Sequence, residues 1–396
     1  MVAIVTGVYL RHSLAVIRDL GEAGIEVIAV SRKGDGIPMG FYSKWVHATH
    51  LLSEENFLKE LYSICNDVRV GYGCKPALMV CDRKTLRLLA EGDAISCFKG
   101  VVGYEGSPIE VLDQLGNKID SEELCRELGI AVPKQVILRH DDVDFSCIAE
   151  VGYPCFVKAS DGEKHGLFAA DRVKRAETAA DVERIAREMF AVTHEDVVVQ
   201  EFLPGDLVNY NILASEGKVV AHTAGKTIRT YPYDGGVPVC TQYYENEELL
   251  ALSARIIESC AYSGLFCIQF KQDRNGVFKF LEINPRMYGD YDMDRHCGNG
   301  FSMRWFAHLW DKVNPTEVCN IPVTSLKPGA RSYAVPADFI SAFSHAVHGE
   351  PTHLFDSAKN VFSSSAHARG IDLRDLRPLV AVFMSLLDRH LIRKRG

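Results

Sequence analysis

Two rhythms of hydrophobic positions organise the first hundred residues. "VAIVT" (residues 2–6) and "IEVIAVS" (25–31) are short apolar runs, and between them Leu14, Ile17 and Leu20 recur at helical spacing before Gly24. Strand, helix over about 13–23 and strand make a βαβ unit. A further strand at "ALMVC" leads into the helical "DRKTLRLLAEG", so residues 1–105 are expected to form a small doubly wound parallel sheet. The first loop, "TGVYLRHS", has a single glycine where a dinucleotide fingerprint needs three, which argues against an NAD role.

The rhythm changes after residue 106. "SEELCRELGI" reads as a helix with Ser121 as N-cap, and "AVPKQVIL" leads to another strand. Three β-rich blocks follow, "GYPCFVKASDGEKHGLFAA", "DVVVQEFLPGDLVNYNILASEGKVVAHTAGKTIRTYP" and "GLFCIQFKQDRNGVFKFLEINPR". Helices over about 178–191 and 246–262 separate them, giving an α+β region of antiparallel sheets. The expected division is 1–105, 106–310 with a lid over about 155–203, and a less regular extension over 311–396. That extension closes in the amphipathic "LRPLVAVFMSLLDRHLIRKRG", whose basic end answers the helix dipole, with membrane or RNA attachment as the weaker reading.

Composition narrows the partner. The net charge is −8 with both signs mixed along the chain, so no basic stripe marks a nucleic-acid surface and a small molecule is the expected partner. The longest apolar runs are about half the ~20 residues that a membrane-spanning helix needs, and "MVAIVTG" lacks a basic leader region. Twelve cysteines without a C-x-x-C pair read as reduced thiols, so a soluble cytoplasmic protein is expected.

Candidate chemistry lies in the three blocks. Asn275-Gly276 is a strong hairpin signal; a two-residue turn there sets Arg274 against Val277 and Gln269 against Glu282. The longer loop "DRNG" would slide this pairing by two and keep Gln269 on the face of Phe280, Glu282 and Asn284. Oxygen donors at Gln269, Glu282 and Asn284 suit Mg²⁺, and Arg286 can approach the same phosphates. The competing interpretation is an ordinary polar strand face. In "FVKASDGEKHG", Phe156, Lys158 and Ser160 share a face, and the loop with Gly162 and Gly166 could fold its amides over phosphate oxygens. Alone, Lys158 reads equally as a snorkelling surface lysine. "VVVQEFLPGD" carries Gln200 and Glu201 to a Pro204-Gly205 turn; its edge can pair with adenine and Asp206 with ribose, although alone it is a plain hairpin.

In this order the three blocks resemble the ATP-grasp superfamily over roughly residues 110–300, and more narrowly a group of stand-alone carbamoyl-phosphate-synthetase-like ligases. The resemblance implies an ATP-grasp module of two α+β subdomains holding ATP between antiparallel sheets. Matched by motif, Lys118 and Lys158 reach the phosphates, Ser160, Gly162 and Gly166 belong to the phosphate loop, Glu201 and Leu203 form the adenine hinge beside Gln200, and Asp206 takes the ribose. Glu282 and Asn284 match magnesium ligands and Arg286 the residue beside the transferred phosphoryl group. Gln269 departs from the superfamily's commoner carboxylate, which leaves one or two Mg²⁺ ions open, with Mn²⁺ able to substitute.

The implied chemistry is activation of a small carboxylate as an acyl phosphate and its capture by an amine, releasing ADP and phosphate. Bicarbonate activation, phosphoryl transfer to a hydroxyl, and a catalytically silent nucleotide-binding regulator are the alternatives. Lys226 and Arg229 in "GKTIRTYPYDGG" are the expected carboxylate ligands, with Gly235-Gly236 leaving room for substrate and Arg331 as a second candidate. By analogy the expected assembly is a homodimer.

Overall fold

The computed structural model describes residues 1–161, 169–232, 236–317, 319, 326–381 and 383–384. Gly162, Gly166, Gly235 and the chain beyond residue 384, where the basic end of the last helix is expected, lie outside the described residues.

The apolar runs at the N-terminus form a four-stranded parallel sheet in the order β3-β2-β1-β4, with β1 at Val2–Val5, β2 at Glu26–Arg32, β3 at Val46–Leu52 and β4 at Ala77–Met79. β1 and β2 pair from Val2↔Glu26 to Val5↔Ala29, and β1 is wholly buried, as a central parallel strand should be. The helix Arg11–Glu22 crosses between them and buries Leu14, Ile17 and Leu20, the stripe seen in the sequence. The core of this sheet runs on into the helix Phe301–Asp311 through Phe301, Trp305, Phe306 and Trp310.

Two further sheets complete the architecture, antiparallel except for one parallel pair at an edge of the larger. The smaller has the order β5-β8-β6-β7, with β5 at Gln135–Leu138, β6 at Cys155–Ala159, β7 at Val173–Ala176 and β8 at Val197–Glu201. Helix Ala179–Thr193 packs on it over a core that includes Val157, Ile185 and Val199. The larger has seven strands in the order β13-β12-β9-β10-β11-β14-β15, with β9 at Leu207–Ser215, β10 at Lys218–Tyr231, β11 at Val237–Tyr243, β12 at Gly264–Gln272, β13 at Phe278–Asn284, β14 at Arg331–Tyr333 and β15 at Ala366–Ala368. Two of its strands come from the last ninety residues, which the sequence had presented only as an irregular extension.

The hairpin β12–β13 positions the candidate chemistry, and its turn differs from the expected one. Asp273 pairs with Val277 through Asp273 N–H donating to the Val277 carbonyl at 2.9 Å, which leaves a three-residue loop, 274–276, with Gly276 at φ +79°. That left-handed conformation is why glycine stands there. The pairing therefore begins one residue away from the two-residue-turn register. A bulge at Leu281 restores it: Phe270 opposes Phe280, while the next pair is Gln269↔Glu282.

The bulge also corrects the expected faces. Phe280 does not share a face with Glu282; it joins Ile268, Phe270 and Ile283 in the core on the other side. Ser121, expected as an N-cap, instead lies inside the helix Lys118–Glu127, whose cap is Asn117, with its side chain accepting from the N–H groups of Ile119 and Asp120. All twelve cysteines are free, and among the described residues no helix is long and apolar enough to cross a membrane.

Candidate active site

The site is assembled from the β13–β12 edge of the seven-stranded sheet, the central strands β6 and β8 of the four-stranded one, and the helix start at Lys118. Gln269 on β12 lies directly across from Glu282 on β13, and Asn284 follows two residues later on the same face, opposite Cys267. Asn284 Nδ2 donates to Glu282 Oε1 at 3.1 Å, and Arg286 donates to Asn284 Oδ1 at 3.1 Å. Arg286 also donates to the Met287 carbonyl at 3.0 Å, which fixes its direction after Pro285 stops the strand.

Lys118 comes to the same face from the first residue of its helix, with Nζ 3.8 Å from Glu282 Oε2. Its backbone N–H donates to the Ser160 carbonyl at 3.1 Å, so the helix start is fastened to the end of β6. Lys158, on that strand, is 4% exposed and donates to Gln200 Oε1 at 2.6 Å. Burial pulls its pKa from the ordinary 10.5 down to about 8; Glu282 opposes the fall, Lys118 adds to it, and Glu122 and Lys271 act weakly in opposite senses. Lys158 thus feels the charges of Glu282, Lys118, Glu122 and Lys271, of which Lys118 and Glu282 are themselves 3.8 Å apart.

The other expected residues divide into two groups. Gln200 joins Lys158 and also donates to Gln135 at 3.3 Å, while Glu201 accepts from the Lys134 N–H at 2.8 Å and from Lys279 Nζ at 2.7 Å. Leu203 is buried, and its backbone N–H and C=O make no hydrogen bond among the described residues, the arrangement that an adenine edge would require. The turn after it closes through Gly205 N–H donating to the Gln272 carbonyl at 3.1 Å. Asp206 pairs with Lys226 at 2.5 Å, so the residue expected at the ribose and one expected at the substrate carboxylate stand together, both partly exposed. Ser160 Oγ donates to Glu195 at 2.9 Å.

Arg229 is not at this site. Its side chain is fully buried and held by Asp338 at 2.6 and 3.1 Å and by Asp356 at 2.5 Å, which tie β10 to the helices Ala337–Val347 and Thr352–Phe362. Arg331 is engaged in the same place, donating to Gln242 at 2.9 Å and to Asp356 at 2.7 Å. Both guanidinium groups are structural, which corrects their expected role as carboxylate ligands.

Three residues went unnoticed in the sequence. Glu122, 3% exposed, has its pKa pushed up to about 7 by burial, with Arg126, four residues on along the helix, and then Lys158 opposing. Lys271 follows Gln269 at period two and was therefore legible; burial lowers its pKa against the pull of Asp206. Asp161, two residues past the end of β6, is held by Arg83 at 2.8 and 3.2 Å, which links this sheet to the helix after β4. A cavity of about 10 Å³, no larger than one water, lined mainly by apolar side chains with Asp82, Glu105 and Arg286, lies beside the carboxyl end of β4.

The donor set fits a divalent cation of the Mg²⁺ type: one carboxylate, two side-chain amides and room for water and phosphate oxygens. The side chain of Gln269 makes no hydrogen bond among the described residues, so its amide oxygen is available. Rotation of the Asn284 amide would turn its oxygen to the same ion. With Glu282 as the single carboxylate of the three, the set suits one tightly held ion better than two.

Comparison with known proteins falls on the same stretch. Residues 193–326 match the family described as ATP-grasp in the biosynthetic pathway with Ter operon. A D-alanine–D-alanine ligase of Pseudomonas fluorescens is 26% identical over 194 residues, 46% of this chain and 57% of that protein. A D-aspartate ligase of Enterococcus faecium is 24% identical over 191 residues, 44% and 45% of the two chains. The chain thus spans about half the length of these curated relatives. Among solved structures, the biotin carboxylase ATP complex of Campylobacter jejuni superposes with a TM-score of 0.58 at 14% identity, covering 78% of this chain and 71% of that one. An N5-carboxyaminoimidazole ribonucleotide synthetase in its ADP complex gives 0.57 at 13%, covering 88% and 84%. At that identity the structural likeness speaks to the fold alone, an ATP-grasp-type fold, while the family match over residues 193–326 takes in the strands that carry Glu201, Glu282 and Asn284 and makes that stretch similar to an ATP-grasp family.

Proposed function

We propose that this chain is an ATP-dependent carboxylate–amine ligase, activating a small carboxylate such as an amino acid as its acyl phosphate. The observation that carries the reading is the convergence of Lys118, Lys158 and Arg286 on the face that holds Glu282 and Asn284. Lys118, Lys158, Lys271 and Arg286 outnumber the carboxylates Glu282 and Glu122, the latter paired with Arg126, and the excess positive charge would suit a triphosphate. A substrate carboxylate oxygen attacks the γ-phosphorus, the bond to ADP breaks, and the amine nitrogen then takes the acyl carbon as phosphate leaves. Lys118, Lys158 and Arg286 offset charge on the transferring group, and Leu203 and Glu201 hold the adenine end. Mg²⁺, held by Glu282 and Asn284 with Gln269 opposite, would supply charge neutralisation at the phosphates. The lid strands β6 and β8, with Lys158 facing inward, would exclude the water that destroys an acyl phosphate. The relatives named D-alanine–D-alanine ligase and D-aspartate ligase favour amino-acid substrates.

Screening amino acids in pairs for ADP release, with product mass to follow, tests the proposal. Glu282→Ala is expected to abolish ADP formation; full turnover in that variant would overturn the metal assignment. ADP release driven by bicarbonate without any amino acid would replace the ligase reading with carboxy-phosphate chemistry.

A further inference from the structure

A second cluster of ligating side chains lies on the hairpin between the helices Ala337–Val347 and Thr352–Phe362. His345 ends the first helix, His353 starts the second, and Glu350 sits in the four-residue link. His345 Nδ1 is 2.6 Å from Glu350 Oε2, and His353 Nε2 is 3.6 Å from the same oxygen. The two imidazoles stack with centroids 4.0 Å apart, and one ligand atom from each of the three residues lies within 4.8 Å of the others. The backbone fixes this spacing, with Glu350 N–H donating to the His345 carbonyl at 3.0 Å and His353 N–H to the Glu350 carbonyl at 3.3 Å.

We propose that His345, Glu350 and His353 form a binding site for a transition-metal dication of the Zn²⁺ class, separate from the magnesium-type site. Two imidazole nitrogens and one carboxylate oxygen are the donor set that such ions take, and Mg²⁺, which prefers oxygen, does not compete well for it. Tetrahedral zinc with bonds of about 2.0–2.1 Å holds its donors roughly 3.3 Å apart, inside the range these atoms already span. One proton is enough to pair Glu350 with a histidine, so a single ion pair leaves the second, stacked imidazole unexplained, whereas a shared cation engages all three. Glu350 is well exposed, which gives the ion an entry path and leaves a position for water.

The site clips together the two helices whose Asp338 and Asp356 hold Arg229 of β10, so its occupancy would stiffen the far end of the strand that carries Lys226. The test uses the full chain stripped with EDTA and titrated calorimetrically with Zn²⁺ in excess Mg²⁺, with melting followed in parallel. One Zn²⁺ per chain and a raised melting temperature are expected. Glu350→Gln combined with His353→Ala is expected to weaken binding by at least about 100-fold and to remove the melting shift. Failure of the native chain to take up Zn²⁺, or uptake by the double variant equal to it, would overturn the proposal. Circular dichroism of both metal-free proteins shows whether the variant has kept its fold, and Glu350→Gln alone, at an exposed position, repeats the test if it has not.

Discussion

Lys158 gives the site a pH dependence that can be worked from its surroundings. The drop from 10.5 to about 8 corresponds to roughly 3 kcal/mol by which burial disfavours the ammonium in the free protein. A bound triphosphate favours the charged form, so nucleotide affinity depends on the fraction of Lys158 still protonated. Below about pH 8 the lysine is charged and affinity is full; above it, each further pH unit should weaken binding about tenfold, since one unit is worth about 1.4 kcal/mol. Between pH 7 and pH 9 the expected loss is therefore about tenfold. Lys158→Arg, charged throughout this range, should bind with nearly constant affinity over the same interval. Equilibrium binding of ATP with Mg²⁺ at fixed ionic strength, measured on both proteins, makes the comparison. Flat affinity in the native chain would refute the reasoning. An equal fall in the arginine variant would move the titration to another group, of which Lys271, also lowered by burial, is the first candidate.

Gln269→Glu adds a carboxylate directly across from Glu282 and should lower the half-saturating Mg²⁺ concentration of ADP release about tenfold; an unchanged or higher requirement would place Gln269 outside the metal shell. Arg229→Leu leaves Asp338 buried without its partner and should cost about 3–5 kcal/mol in urea unfolding while ATP affinity is retained. Loss of affinity without loss of stability in that variant would restore Arg229 to substrate binding.

The sequence revealed the fold where period and chemistry agreed, and misled where a tertiary partner decided. The wholly apolar β1 and the stripe of Leu14, Ile17 and Leu20 could only be buried, so the parallel sheet was legible. Glu282, Asn284 and Gln269 were placed correctly against one another, although the reasoning relied on a regular two-residue turn and nothing in "FKFLEIN" announces the extra residue. Arg229 was misread because a lone arginine in a strand looks the same whether it awaits a substrate or two aspartates more than a hundred residues away. Glu122 stayed hidden because a glutamate four residues before an arginine on a helix carries no sign of burial in the sequence. The strands β14 and β15 are three residues each, too short to show a period.

The bulge at Leu281 bears on how relatives of this chain can differ in length. It separates the hairpin into two stretches of opposite phase, with Phe278 and Phe280 turned to the core on one side of it and Glu282 and Asn284 turned away on the other. Deleting Leu281 would leave Phe280 and Glu282 as neighbours on opposite faces, as a regular ladder wants, with Gln269 still across from Glu282. Deleting Ile283 would instead swing Asn284 into the apolar layer. Gaps in an alignment are therefore expected to gather at 274–276 and at 281, and a gap one or two positions further on would mark a homologue that has lost the site.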